Sequence, residues 1–315
     1  MLKSVRFSFY KVMLATGTRG LELVPSKITA LQSAFIKSFR RVVCNQNRRE
    51  CARCAVYSEC PFYRVFLAAP AGVHYGAKAE PFVLGFPFGN KTSYQPGETL
   101  AVGLVLIGDT WKYLPHFVNA LQELGGTLEK TNRSFRLVGV VGVNPLNNDC
   151  RLAAIPEKGQ PYNEELSLSG AEIELAANNL DRSVIAIDYV TVTRLRYRNQ
   201  VAERAEFNIL IRNLLRRIRG LGLHQGVENL ENFLGLVRKA QQIYTVSDYT
   251  RWVDLRKPNR RVASGQFSGG LMGQVTYRGE LAPFLTLLKL GELLHVGWFS
   301  GFGLGKYSIL PKISG

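Results

Sequence analysis

Gly297-Trp-Phe-Ser-Gly301-Phe-Gly303-Leu-Gly305-Lys306 places four glycines in nine positions and ends on a lysine. Residues without a Cβ let the backbone approach a phosphate and turn several N–H groups toward it. The Gly-Lys-Ser/Thr ending of a Walker loop is missing, as is its strand-then-helix context. A tight turn with positive φ angles would account for one or two of the glycines, hardly for four. His295 stands two residues before the loop, where an imidazole could give or take a proton near neutral pH. The other reading of His295 is a helix-terminal side chain that bonds the last carbonyls. His116 lies on an apolar helical stripe and reads as structural. His74 and His224 fall in loop-like sequence that singles out neither.

Cys44-x6-Cys51-x2-Cys54-x5-Cys60 gathers four thiols within seventeen positions. Such a set can converge on one metal, with zinc ahead of an iron–sulfur cluster. We expect a closed structural site that pins the first helix to the following loop; scattered core thiols are the other reading. Cys150 stands apart in a strand-like stretch, where burial is expected. Arginines interleaved with aromatics recur in the second half: Arg194, Arg196, Tyr197 and Arg198; Arg212 and Arg216 on one helix; Arg251 beside Trp252; then Arg256, Lys257, Arg260 and Arg261 at a turn. The turn is read as a hairpin tip that grips an RNA backbone or a stem's groove.

The charge balance agrees with such a partner. Forty Lys+Arg against 24 Asp+Glu give a formal net charge of +16 over 315 residues, in a chain that is 46% hydrophobic and 10% aromatic. Each phosphate neutralised releases a condensed counterion, so nucleic acid is the leading partner class. No basic amphipathic segment stands apart from the core pattern, which argues against a membrane surface. The N-terminus alternates apolar and polar residues unlike a signal peptide, and no stretch approaches a membrane span. The chain therefore reads as cytoplasmic, where thiols stay reduced.

These residues need elements to hold them. Val5 to Ala15 alternates like a strand, and Ile28, Leu31, Phe35, Phe39 and Val42 form a helical stripe with Lys37, Arg40 and Arg41 opposite. A strand near Leu100–Ile107, a helix closed by Gly125-Gly126, and strands at Ser134–Val143 and Arg151–Ile155 follow, with loop-like sequence up to Glu80. The second half runs through a strand at Val184–Val192 and a helix carrying Phe207, Ile211, Leu214 and Ile218. A hairpin (Tyr249–Asp254 with Phe267–Tyr277), a helix at Ala282–Leu294 and a last strand at Lys306–Leu310 complete it. The expectation is an α+β chain of two tandem βαββαβ units. The first spans 1–170 with the cysteine-rich segment 44–63 inserted, the second spans 183–315, and a polar linker covers roughly 157–182.

Gly269-Gly270-Leu-Met-Gly273, Leu281-Ala-Pro-Phe-Leu285, Leu294-His-Val-Gly297 and the glycine loop together resemble the C-terminal signature of the CRISPR repeat-RNA-processing endoribonucleases of the RAMP superfamily. Leu214-Leu-Arg-Arg-Ile218, Arg251-Trp-Val-Asp-Leu255, Leu106-Ile-Gly108 with Tyr113-Leu-Pro115, and Cys51-Ala-Arg-Cys54 with Cys60-Pro-Phe-Tyr63 extend the resemblance over nearly the whole chain. It implies two ferredoxin-like (RRM-like) domains and binding of CRISPR precursor RNA. It also implies one cut per repeat without a metal cofactor, by attack of the 2′-hydroxyl on the adjacent phosphate. Other CRISPR effector or adaptation proteins are implied partners. The expected catalytic set is His295 with Lys37, Arg40 and Arg41. The RNA-binding set is Gly297, Gly301, Gly303, Gly305, Lys306 and the arginines and lysine named above.

The first helix departs from that family. Many relatives carry a Gly-Ser…Leu-Arg-Gly…Phe-Gly-His type run there, whose histidine often takes part in cleavage. Here Gln32 stands at the arginine position and Lys37 at the histidine position. Either Lys37 works with Arg40 and Arg41 in a lysine/arginine site, or the chain is a weakly active or inactive RNA-binding subunit that retains the crRNA in an effector complex.

Overall fold

The structure is a computed structural model that describes residues 4–23, 28–46, 50–70, 73, 78–88, 91–129, 134–154, 166–223, 230–255 and 269–311. His74, His224, Arg256, Lys257, Arg260 and Arg261 lie outside the described residues. The chain divides into two compact units. One holds Arg6–Ala69 and Glu80–Leu168; the other holds Ser169–Gly315 with Met1–Val5 and Pro70–Ala79.

The first unit is built on β1 (Arg6–Thr16), α1 (Ile28–Val43), β2 (Phe82–Gly85), β3 (Thr99–Ile107), α2 (Leu114–Glu129), β4 (Phe135–Val143) and β5 (Cys150–Ala154). The sheet order is β2-β3-β1-β4-β5. β1 pairs antiparallel with β3 from Phe7↔Ile107 to Ala15↔Thr99 and with β4 on its other side. This is the ferredoxin-like order with one strand added. The sequence places the closing pair at 134–143 and 151–155, whereas the second strand of the motif is Phe82–Gly85 and β5 is an extra edge strand on β4. Phe82-Val-Leu-Gly is a short run, buried up to Leu84 without alternation, so a two-residue period has nothing to register. Phe82 joins Phe35, Phe39, Phe66 and Phe117 in edge-to-face and stacked contacts at 5.1–5.9 Å, which fasten α1 and α2 to the sheet. Burying each such ring contributes about 1.5–3 kcal/mol. Cys150 is exposed, not buried: it opens the edge strand, and its thiol donates to the Asn148 carbonyl at 3.4 Å.

The second unit begins with α3 (Gly170–Ala177), followed by β6 (Val184–Thr193), β7 (Arg196–Tyr197), β8 (Gln200–Val201), α4 (Phe207–Gly220), α5 (Leu230–Ala240), β9 (Tyr244–Asp248), β10 (Arg251–Asp254), β11 (Gly269–Arg278), α6 (Leu285–Leu294) and β12 (Tyr307–Ile309). Its sheet order is β9-β11-β6-β12, again ferredoxin-like, with β10 also on β11. The stretch read as linker contains α3, which Ser169 and Glu172 open with a reciprocal capping box. Leu271, Val275 and Tyr277 of β11 pack with Ile185, Ile187 and Tyr189 of β6, and with Leu210, Leu214 and Leu288 of the helices. Tyr307 Oη donates to the Leu288 carbonyl at 2.6 Å and Tyr277 Oη to the Ala205 carbonyl, so these buried hydroxyls are partnered. Among the described residues, no helix is long and apolar enough to cross a membrane.

Candidate nucleic-acid interface

α6 ends at Leu294, and His295 follows in a conformation (φ 61°, ψ 166°) that side-chain-bearing residues rarely adopt. The turn it starts is closed from both sides. Val296 N–H donates to Gly305 O (2.9 Å), Gly305 N–H to Val192 O (3.1 Å), and Trp298 N–H to Arg194 O (3.1 Å). Phe302 and Gly303 donate to Phe299 and Ser300, and Lys306 N–H donates to Thr191 Oγ1 at 2.9 Å. Many loop N–H groups are thus spent inside the protein rather than turned toward a phosphate. Gly297, Gly303 and Gly305 all have positive φ. A Cβ at Gly305 would lie 1.7 Å from the Val296 carbonyl oxygen, and one at Gly297 would lie 2.5 Å from that of Arg194. The tight turn therefore explains three of the four glycines, where the sequence reading allowed it one or two. Gly305 lets the loop close on Val296, and Gly297 lets it approach Arg194, the residue after β6.

His295 is buried, 7% exposed, with Nδ1 3.2 Å from the Leu304 carbonyl oxygen. Burial first, then the charges of Lys306 and Arg217, lower its pKa to about 3. The imidazole is neutral at physiological pH and closed off from bulk water. Arg217, which sequence reasoning passed over, is buried and donates from Nε to the Leu294 carbonyl at 3.3 Å, meeting the C-terminal end of α6 with a cation. His116 is half-buried between Phe39 and Tyr113, and burial lowers its pKa.

The arginines beside the loop come together. β7 and β8 form a hairpin whose two turn residues, Arg198 and Asn199, both have positive φ, the left-handed geometry that a two-residue turn requires. This folds the basic run Arg194–Arg198 back toward α4. Asn213 holds it there: its Oδ1 accepts from Arg196 N–H, and its Nδ2 donates to the Arg196 carbonyl, both at 3.1 Å. Arg198 and Arg212 each lie over the Tyr197 ring, at 5.2 and 5.6 Å. Arg194 lies 4.6 Å from the Trp298 ring centroid, and Trp298, 38% exposed, stacks on Phe299. Burial lowers the pKa of Arg194, with Arg196 adding repulsion; burial also lowers that of Arg216, with Arg196 and Arg212 adding to it. Guanidinium groups stay charged under such pressure, so the cluster holds mutually repelling cations next to the partly buried Tyr197 and the exposed Trp298. An anionic partner with planar groups fits it. Arg251 and Trp252 are exposed on β10, and Lys306 is exposed at the end of the loop.

Lys37, Arg40 and Arg41 belong to the other unit. Lys37 is exposed, Arg40 lies over the Phe62 ring at 5.7 Å, and Arg41 donates to Glu123 of α2 at 2.8 Å. The four cysteines line one small cavity in that same unit. Among the described residues, no three His, Cys, Asp or Glu side chains stand gathered as metal ligands.

Comparison with known proteins sets these features in a family. The model of the CRISPR-associated endoribonuclease Cas6 matches residues 187–307, and AF_1859_N, an N-terminal domain, matches residues 5–167. A Cas6 product complex shares the fold at TM-score 0.56 with 18% identity, covering 96% of this chain and 99% of that one. Thermus thermophilus Cas6 gives 0.53 with 16% identity, over 98% and 99%. A partial Cas6-RT-Cas1–Cas2 complex gives 0.58 with 15% identity, over 99% of this chain and 47% of that one. No curated protein matches the sequence. The chain belongs to the family described by AF_1859_N, whose model spans just over half of it, while its second unit matches the Cas6 endoribonuclease model over residues 187–307, glycine loop included, and both units have a ferredoxin-like sheet order.

Proposed function

We propose that the chain binds the repeat of a CRISPR transcript and cuts it once per repeat, by attack of a 2′-hydroxyl on the adjacent phosphate. The products are a 2′,3′-cyclic phosphate and a 5′-hydroxyl, and no metal takes part. The observation that carries this reading is the cluster of Arg194, Arg196, Arg198, Arg212 and Arg216 with Tyr197 and Trp298, joined to the glycine loop where Trp298 N–H donates to the Arg194 carbonyl. Single-stranded RNA is held by this combination of cations for its phosphates and aromatic faces for its bases. Arg196→Ala and Arg216→Ala should each weaken repeat binding and lower the slope of log K against log salt by about 0.7–0.9. Filter binding across a salt series checks this; unchanged slopes would place the RNA elsewhere.

The reaction needs the attacking oxygen deprotonated, the phosphorane charge stabilised and the leaving oxygen protonated. We assign His295 a positioning role: neutral and enclosed, it holds the Leu304 carbonyl and with it the curvature of the loop. Lys37 is exposed at the first-helix position where many relatives carry histidine, and we assign it stabilisation of the phosphorane. With Lys37 in place of that histidine and His295 enclosed, two candidate proton-transfer positions are lost; general acid–base catalysis is worth about 10²–10⁴-fold, so slow turnover is expected. The burial of His295, added to Lys37, also supports a second reading, an RNA-retaining subunit that does not cut. Labelled repeat RNA in EDTA separates the two. One discrete cut ending in a cyclic phosphate supports the enzyme, and a stable uncut complex supports the binder. RNA with a 2′-deoxy nucleotide at the cut should bind equally and stay intact; cleavage of it would refute 2′-hydroxyl attack. Because one neighbour of the same fold forms part of a Cas6-RT-Cas1–Cas2 complex, we extend the partners to CRISPR adaptation and effector proteins.

A further inference from the structure

Between α1 and β2 lies a run of turns with no core of its own. Of residues 50–60, eight are exposed, Val56 and Tyr57 among them, and the three that are half-buried are Cys51, Cys54 and Cys60. Thiols are thus the inward-facing residues of a segment that otherwise faces water. Apolar burial does not account for its shape, and a covalent or metal staple is one device that holds a segment without a core. A disulfide is not that staple, since none of the five cysteines is in one.

A series of backbone turns brings the four thiols to the lining of one cavity. Cys44 continues the last turn of α1, its N–H donating to the Arg40 carbonyl at 2.9 Å. Cys51 opens a 3-10 turn, Cys54 N–H closes it on the Cys51 carbonyl (3.2 Å), Tyr57 N–H donates to the Cys54 carbonyl (3.1 Å), and Cys60 N–H reaches the Val56 carbonyl (3.1 Å). These turns leave a cavity of about 20 Å³ lined by all four cysteines. Tyr57 and Tyr63, which also line it, meet edge-to-face at 5.0 Å. A hole of that size holds about one water-sized particle, so it suits one ion and not a cluster of iron and sulfide.

The geometry points to a four-thiolate zinc site formed by Cys44, Cys51, Cys54 and Cys60, separate from the RNA interface of the second unit. The thiols are not gathered at coordination distance among the described residues, so binding requires them to move inward. Each ligating thiol gives its proton to the buffer as its sulfur lone pair bonds the metal; no redox partner is needed. The consequence is mechanical. The ion joins the end of α1 to the turn segment and the Tyr63–Leu67 helical turn after it, and with them Phe62, the ring beneath Arg40. A bound zinc would thereby steady the helix that carries Lys37 and Arg40.

The full chain, purified from zinc-supplemented medium and desalted, should carry about one zinc by elemental analysis. Cobalt substitution should produce the intense visible bands of a tetrahedral thiolate site, and chelation should lower Tm. Cys54→Ser should reduce zinc affinity by tenfold or more, whereas Cys150→Ser, outside the cavity, should leave it unchanged. The wild-type readout does not depend on either variant folding. The proposal is overturned by wild-type chain that binds no added zinc and whose four thiols react with a thiol reagent as fast as Cys150. It is equally overturned by zinc bound as tightly after Cys51 and Cys54 are both changed to serine, or by acid-labile sulfide with iron. Because the readout is metal content and stability, failure here leaves the RNA reading untouched, and failure to cut RNA leaves the zinc site untouched.

Discussion

Alanine at Gly305 should cost about 3–5 kcal/mol of stability and remove tight repeat binding with it. The Gly305 φ of 69° is a left-handed conformation that costs an L side chain about 1–2 kcal/mol. The larger effect is steric. The added Cβ would meet the Val296 carbonyl oxygen at 1.7 Å and its carbon at 2.8 Å, both backbone atoms that no rotamer change can move. The Val296 N–H···O Gly305 and Gly305 N–H···O Val192 bonds that lay the loop on β6 would have to open, each buried group left unpaired costing about 1–3 kcal/mol. Gly126 is the control. It sits exposed within α2, and a Cβ added there would meet nothing within 4 Å, so alanine should stabilise by about 0.5–1 kcal/mol. Denaturant midpoints of the two variants should move in opposite directions. A Gly305→Ala protein as stable as wild type would show that the loop does not need its close approach to Val296.

The second large effect concerns acid. The folded pKa of His295 is held at about 3, against an unfolded value of about 6.5. Between those values the unfolded chain binds one proton more than the folded chain, so stability rises with pH through that window and is flat above it. The full contribution, present above pH 6.5, is about 5 kcal/mol, of which about 2 kcal/mol is lost by pH 5. His116 titrates with the same sign, since its pKa is also lowered by burial, so the measurement that isolates His295 is a difference. Urea unfolding of wild type and His295→Gln between pH 7.5 and 5 should give curves that converge as pH falls. Parallel curves would mean that His295 is not buried neutral. The same argument predicts that the pH–rate profile of RNA cleavage carries no imidazole ionisation from His295.

Much of the second unit is legible along the chain. Val184–Val192, the Phe207–Ile218 stripe and Ala282–Leu294 correspond to β6, α4 and the α6 region because their periods are strong and local. The capping box Ser169-x-x-Glu172 and the left-handed pair Arg198-Asn199 are equally local marks of α3 and of the hairpin at β7, but only the folded backbone shows that both form. Phe82–Gly85 and Tyr244–Asp248 are not legible, since a four-residue strand without alternation and a five-residue, mostly exposed one carry no period. Among the site residues, the basic run at Arg194–Arg198 and the arginines of α4 are visible by type. Their convergence is not, because Asn213, a residue with no chemical signature in the sequence, draws the hairpin onto α4.

The amino-acid order by itself determined the tandem α+β plan, the cationic surplus, the glycine-dense run before Lys306 and the four thiols within seventeen positions. Each of these follows from propensity or spacing within a few residues. Tertiary structure alone decided that His295 is enclosed and neutral, that Arg217 meets the end of α6, and that loop N–H groups bond β6 and one another. Burial and charge depend on what lies across from a residue, and the neighbours of His295 include Arg217, seventy-eight positions away along the chain.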